Sequence, residues 1–213
     1  WDIIVKYSGP ESGLAGNGIQ VVPLLGGYAV VTLPESEIDA YSDRVQVEFI
    51  EKPKRLYFEL FQAKGASCIR TVQTGRDGLT GKGILIGIVD SGVDYFHPDF
   101  RNTDGSSRIA WLFADGKEYS KAQIDQALAA EDRTSALSLV PVTDPSGHGT
   151  HVAGIAAGNG RASGGRNRGV AYESPLIVVK LGTARSGGFP LTTQLMEAVE
   201  YVKRKSIEER KPV

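Results

Sequence analysis

The chain has a single cysteine in 213 residues, Cys68, so no disulfide can form within it and no oxidising compartment is implied. In "GASCIR" that side chain reads as a small packed residue, not a nucleophile. Excess charge of either sign is also missing. The chain has 24 Lys and Arg against 25 Asp and Glu, a formal net charge of −1. No global field therefore points to nucleic acid or to an anionic membrane as a partner. The basic run "RKSIEERK" (204–211) is interleaved with glutamates and reads as a solvated helix face. No apolar stretch approaches the ~20 residues that would span a bilayer. There is no secretory pattern, and "WDIIVKYSGP" opens without Met, which reads as a chain trimmed at its beginning. What is present is ordinary for a globular protein: 41% hydrophobic and 23% charged residues, enough for one or two domains with a real core.

Two regions differ in texture. Residues 1–62 read as a small α+β domain. "DIIVKY" (2–7) and "GYAVVTL" (27–33) carry β-formers and partial alternation. "PESEIDAYSD" (34–43) places Pro34 at an opening position and acids in a first turn, a short helix signal. "VQVEFIEKPKRLYFEL" (45–60) returns to β-rich text, and "SGPESGLAGNG" (8–18) reads as a turn or loop. Residues 63–82 show little periodicity and read as a connector.

The second region, 83–213, opens with "ILIGIVDSG", an unbroken apolar run that suits a strand buried on both faces of a parallel sheet. "SPLIVVKLG" (174–182) is a second such run. "GTHVAGIAAG" (149–158) and "LTTQLMEAVEYVKRK" (191–205) have helical patterns, the latter with Leu195, Val199 and Val202 on one face. "YSKAQIDQALAA" makes a short surface helix with Ser120 at its N-cap. Strand, helix, strand, helix is the signature of a doubly wound α/β sheet, in which functional groups gather beyond the strands' carboxyl ends. Asp90 sits at such an end, and His148 sits where a helix begins.

"SGHGTHVAGIAAGNG" (146–160) puts His148 and His151 three apart. A zinc motif of the HExxH kind has its histidines four apart and a Glu after the first, whereas Gly149 follows His148 here. A plain core histidine leaves the glycines at 147, 149 and 154 unexplained. The third reading is a general base at a helix N-terminus, its second nitrogen held by the Asp90 carboxylate.

"GIVDSGVDYFHPDF" and "SGHGTHVAGIAAGNG" resemble the aspartate and histidine boxes of the subtilisin-like serine proteases. "IVVKLGTARSGGF" resembles that family's substrate-binding strand, and the likeness runs from about residue 83 to 205. A finer similarity is to the germination-type subtilases of spore-forming anaerobes. The resemblance implies the first half of a subtilisin-like catalytic domain at 83–213, preceded by a propeptide-like domain that chaperones folding and then inhibits the enzyme. It implies that Asp90 orients His148 and that His148 is the general base, with His151 packing. Ser91 and Gly92 shape the turn, and Ser91 is rejected as nucleophile because it adjoins the orienting acid. Six substrate-binding residues are implied: Ser186, Gly187 and Gly188 as an edge strand that pairs with a peptide by main-chain hydrogen bonds, Phe189 as the wall of an apolar pocket, and Leu181 and Gly182 as parts of the same cleft. Asp99 matches a calcium-ligating aspartate in some members, although the following "GNGRASGGRNRG" is basic and lacks acids. No cofactor is implied as required, and a structural calcium at Asp99 is left open.

The family's Gly-Thr-Ser box is not found in these 213 residues. The expectation is a serine endopeptidase represented by its propeptide and its Asp and His, inactive by itself and needing the remainder of the catalytic domain. Its partners are then a peptide or protein substrate and its own propeptide as inhibitor, with no nucleic acid and no membrane. The family's habit is secreted or spore-associated. A pseudoprotease scaffold is the alternative. A nucleotide-binding module is disfavoured, because Gly81 and Gly83 precede the strand where a dinucleotide fingerprint follows it.

Overall fold

The computed structural model describes residues 1–54, 69–74, 78–181 and 191–213. They fall into two compact units, 1–54 with 191–200, and 69–181 with 201–213. Among the described residues no helix is long and apolar enough to cross a membrane.

The first unit is built on an antiparallel sheet. Its strands are β1 (Asp2–Tyr7), β2 (Gln20–Leu24), β3 (Tyr28–Thr32) and β4 (Val47–Glu51), in the order β2-β3-β1-β4. Alternate residues of β1 and β3 point to one core: Ile3, Val5, Ala29 and Val31 close on Leu14, Leu33 and Tyr41. Tyr41 comes from the short helix α1 (Ile38–Ser42), and its buried hydroxyl donates to Leu14 O at 2.9 Å. The helix expected at 34–43 thus forms, after a 3-10 turn over Glu35–Glu37. Strand β2 was not expected. Pro23 hides it from a propensity reading, and an edge strand is where a sheet tolerates a residue without an N–H. Lys54 N donates to Thr192 Oγ1 at 2.7 Å, and Thr192 N returns a bond to Lys54 O at 2.8 Å.

The second unit is a mixed sheet. Its strands are β5 (Ile86–Asp90), β6 (Ile109–Ala114), β7 (Lys117–Ser120) and β8 (Leu176–Lys180), in the order β5-β8-β6-β7. Strand β8 runs parallel to both β5 and β6, and β7 turns back antiparallel as a hairpin on β6. The hairpin turn is Asp115-Gly116, with φ of 50° and 75°, as a two-residue loop between right-twisted strands requires. On one face Ile88, Leu112 and Val178 join Ile124 and Ala127 of α3 (Lys121–Leu128), Ala136 of α4 (Arg133–Leu139), and Ala153 and Ala157 of α5 (His148–Ala157). On the other, Gly87 and Phe113 meet Val202 and Tyr201 of α6 (Thr192–Glu208). Helices on both faces of parallel strands make the doubly wound arrangement.

Several expectations are corrected. Only β8 is buried along nearly its whole length, as a central strand should be. Strand β5 lies at the edge of the described sheet and leaves Gly87 exposed. Helix α6 has the expected period in another phase. Ala198, Tyr201, Val202 and Lys205 are buried, while Val199 is 54% exposed. Lys205 belongs to the stripe because Glu118 and Glu208 bind its ammonium at 3.0 and 2.8 Å, and the same nitrogen lies 3.7 Å from the centre of the Trp111 ring. The connector at 63–82 contains a helix, α2 (Ile69–Thr74). Cys68 lies outside the described residues. The helix α3 does begin after Ser120, whose N–H donates to Gln123 Oε1 at 2.9 Å.

Candidate active site

Strand β5 delivers Asp90 to its carboxyl end, and the next residues turn sharply into "SGVD". Helix α5 starts at His148, behind Gly147 in a left-handed conformation (φ 71°). The structure brings the two side chains together: His148 Nδ1 lies 2.7 Å from Asp90 Oδ1. Both are largely buried, at 13% and 10% side-chain exposure, so the pair is sheltered from most solvent screening. Asp90 Oδ1 also accepts from Ser91 N at 2.7 Å, which fixes the carboxylate on its own turn.

Gly149 explains how the helix comes so close. A Cβ there would sit 2.2 Å from Gly92 O and 3.1 Å from Asp90 Oδ1, so only glycine admits the turn against the helix. Gly154 has no such role, since a Cβ there would meet nothing within 4 Å. The glycines of the histidine box therefore do different jobs, and close approach rests on Gly149.

Sequence reasoning missed Asp144. Its Oδ2 accepts from Thr150 N at 2.8 Å and from Thr150 Oγ1 at 2.7 Å. Its Oδ1 accepts from Ser91 Oγ at 2.7 Å and Ser146 Oγ at 3.0 Å. Ser91 Oγ in turn accepts from Gly149 N at 3.0 Å, and Thr150 Oγ1 accepts from Asp94 N at 2.9 Å. One carboxylate thus ties the turn after Asp90 to the first turn of the helix that carries His148. Burial acts to raise the Asp144 carboxyl, but the bonds from Thr150, Ser91 and Ser146 outweigh it and hold it below the ordinary range. Its position before a helix N-terminus also favours the anion. The available signal was an acid four residues before His148, at a helix start.

The other candidates are placed as follows. Ser91 Oγ is engaged by Asp144, Gly149 and Ser146, a structural role. His151 does not pack into the core; it is exposed and faces a cleft shared with Asp94, His97 and Asp144. His97 Nδ1 accepts from Asp99 N at 3.3 Å. Asp99 is buried, and its Oδ1 accepts from Ala162 N at 2.8 Å. Leu181 is buried, and its N–H extends the β5–β8 ladder to Asp90 O at 2.8 Å. Gly182, Ser186, Gly187, Gly188 and Phe189 lie outside the described residues.

Residues 81–208 match the family model described as the subtilase family. The chain belongs to the subtilase family. Residues 1–54 match the model of the Csp protease B prodomain. Among solved structures, the Clostridium perfringens CspB protease is similar at 42% identity, with a TM-score of 0.60 over 68% of this chain and 31% of that one. That likeness bears out the finer resemblance to germination-type subtilases. The "Major intracellular serine protease" of Bacillus subtilis is 32% identical over 124 residues, 58% of this chain and 32% of its own length. The "Serine protease AprX" of the same organism is 33% identical over 139 residues, 65% of this chain and 25% of its own length. The chain thus spans a third or less of the curated relatives it matches here.

Proposed function

We propose that this subtilase chain supplies the acid and base of a serine endopeptidase, with Asp90 and His148 as two members of an Asp-His-Ser triad. The 2.7 Å contact between His148 Nδ1 and Asp90 Oδ1 carries the reading. A carboxylate accepting from Nδ1–H fixes the tautomer in which Nε2 is the basic nitrogen. Nε2 then takes the proton of a serine hydroxyl as it attacks the scissile carbonyl, and returns it to the leaving amine. Asp90 stabilises the imidazolium that forms between those steps. Asp144 keeps strand end and helix start in register, so that the pair is assembled before substrate arrives. Ser91 is not the nucleophile in this reading, because its oxygen is committed to the Asp144 network. The serine and the oxyanion donors belong to sequence outside these 213 residues.

Ser186, Gly187 and Gly188 bind an extended peptide by main-chain hydrogen bonds, with Leu181, Gly182 and Phe189 contributing to the same substrate cleft. Residues 1–54 act as an intramolecular inhibitor and folding aid, a role supported by their match to a prodomain. Processing then falls between residues 56 and 67.

The test is fluorogenic-peptide hydrolysis by the natural full-length protein. His148→Ala lowers kcat/KM by roughly 10⁴- to 10⁶-fold, the range that such triads show, without loss of secondary structure. A variant that keeps wild-type turnover removes His148 from the mechanism. A wild-type protein that folds, is processed and never reacts with a serine-directed phosphonate supports the scaffold reading instead.

A further inference from the structure

Arg108 lies just before β6, and its side chain runs into the protein, 7% exposed. Nη1 donates to Asp99 O at 2.9 Å and to Ala157 O at 2.6 Å, and Nη2 donates to Ser174 O at 2.6 Å. Those carbonyls belong to three distant segments: the 3-10 turn Pro98–Phe100, the last residue of α5, and the approach to β8. The Arg108 main chain joins the same segments, donating to Phe100 O at 2.8 Å and accepting from Leu176 N at 3.0 Å. Oxygens from separate segments gathered on one positive centre are what a hard structural cation provides. Here the centre is a guanidinium, whose planar fork of donors reaches several carbonyls at once.

Asp99 is where the family resemblance implies calcium, and the groups present do not fit that ion. Asp99 O is taken by Arg108 and by Asn159 N at 3.1 Å, and Asp99 Oδ1 by Ala162 N. The loop after α5 contributes cations, not carboxylates. Arg161 Nη1 donates to Arg101 O and Asn102 O, and Asn159 Nδ2 donates to Arg101 O at 2.9 Å. Among the described residues no three His, Cys, Asp or Glu side chains converge to hold a metal. A divalent ion at Asp99 would share a buried space with a fixed like charge. Burial pulls the Arg108 guanidinium below its ordinary value, opposed by the Asp99 and Glu173 carboxylates, and an arginine so placed stays charged.

We propose that Arg108 is the resident cation of this part of the fold and stands in place of a structural calcium at Asp99. The C-terminal end of α5, the turn at Asp99 and the approach to β8 are then locked together by a side chain, independently of metal.

The experiment is thermal unfolding of the natural full-length protein, with excess EDTA and with added calcium, for wild type, Asp99→Asn and Arg108→Met. The wild-type midpoint is expected to move by less than about 1 °C between the two conditions, the scatter being small against the shift that loss of a structural cation gives. Arg108→Met, which takes the guanidinium donors from the Ala157, Ser174 and Asp99 carbonyls and leaves only the last with another donor, Asn159 N, is expected to lower the midpoint by roughly 5 °C or more. A chelator-sensitive wild type whose sensitivity disappears in Asp99→Asn overturns the proposal. Sensitivity that Asp99→Asn retains in full places the ion elsewhere and supports it. An Arg108→Met midpoint equal to wild type also overturns it. If Arg108→Met does not fold, the wild-type and Asp99→Asn arms still decide.

Discussion

At its first turn α5 meets carboxylates, and at its last it meets a guanidinium. Asp90 and Asp144 hold the N-terminal end through His148, Thr150 and the hydroxyls of Ser91 and Ser146. Arg108 holds the C-terminal end through Ala157 O. Both charges oppose the partial charge of the helix end they face, so each is favourable by itself. The two ends are nevertheless built differently. The first spreads its grip over many short polar side chains, several of them partly exposed, and keeps the Asp90–His148 pair at a strand end. The last concentrates its grip on one buried side chain that also holds two other segments. Substitutions at the first end should therefore act on turnover before stability, and at the last on stability alone.

The sharpest way to break the first end is Gly149→Ala. Its Cβ would meet Gly92 O at 2.2 Å, a backbone atom that cannot swing aside, so the helix must retreat from Asp90. A misplacement of this kind costs about 100-fold in kcat/KM. The accompanying overpacking costs about 1–3 kcal/mol of stability. Peptide hydrolysis and denaturant unfolding of the full-length variant measure both, and unchanged kinetics would mean that the close approach is not needed.

Next in size is Asp144. Asp144→Ala leaves the Thr150 N–H and the Ser91 and Thr150 hydroxyls without their acceptor. We expect about 2–3 kcal/mol of destabilisation and roughly a tenfold fall in kcat with KM little changed. The same residue gives a pH test. Its folded carboxyl titrates below the unfolded value, so its contribution is present above about pH 4 and is lost as pH falls through the folded value. The stability gap between wild type and Asp144→Asn should therefore narrow in acid. A gap that widens as pH falls has the wrong sign for this account.

The smallest expected effect is Ser91→Ala. It removes one hydroxyl from the network, worth about 1 kcal/mol, and should leave turnover within about tenfold of wild type. Labelling by a serine-directed phosphonate should persist. Loss of labelling would make Ser91 the nucleophile and undo the assignment.

The parts legible from sequence are those whose cause is local. A continuous apolar run ending in Asp90, a helix opening at His148 and the Ser120–Gln123 cap each depend on neighbours within a few positions. Asp144 was invisible as a hub because the partner that makes it one, Ser91, lies 53 positions away. The β6–β7 hairpin did carry a local signal, Asp115-Gly116 between β-forming residues, and went unread beside the stronger helix pattern that follows. The phase of α6 escaped because Lys205, counted as polar, is one of its buried positions. Period is set by the helix itself, whereas phase is set by what it packs against. Arg108 could not have been singled out, since a lone arginine before a strand has no distinguishing text.

A cation carried by a side chain has a consequence for how this part of the molecule ages and travels. A dissociable ion stabilises a fold by mass action, in proportion to the logarithm of its free concentration, so each change of surroundings resets the balance. The Arg108 guanidinium is covalently present at fixed stoichiometry, and dilution cannot deplete it. The three segments gathered on Ala157 O, Asp99 O and Ser174 O thus share a tether set once, at translation, and the same in every medium the protein enters.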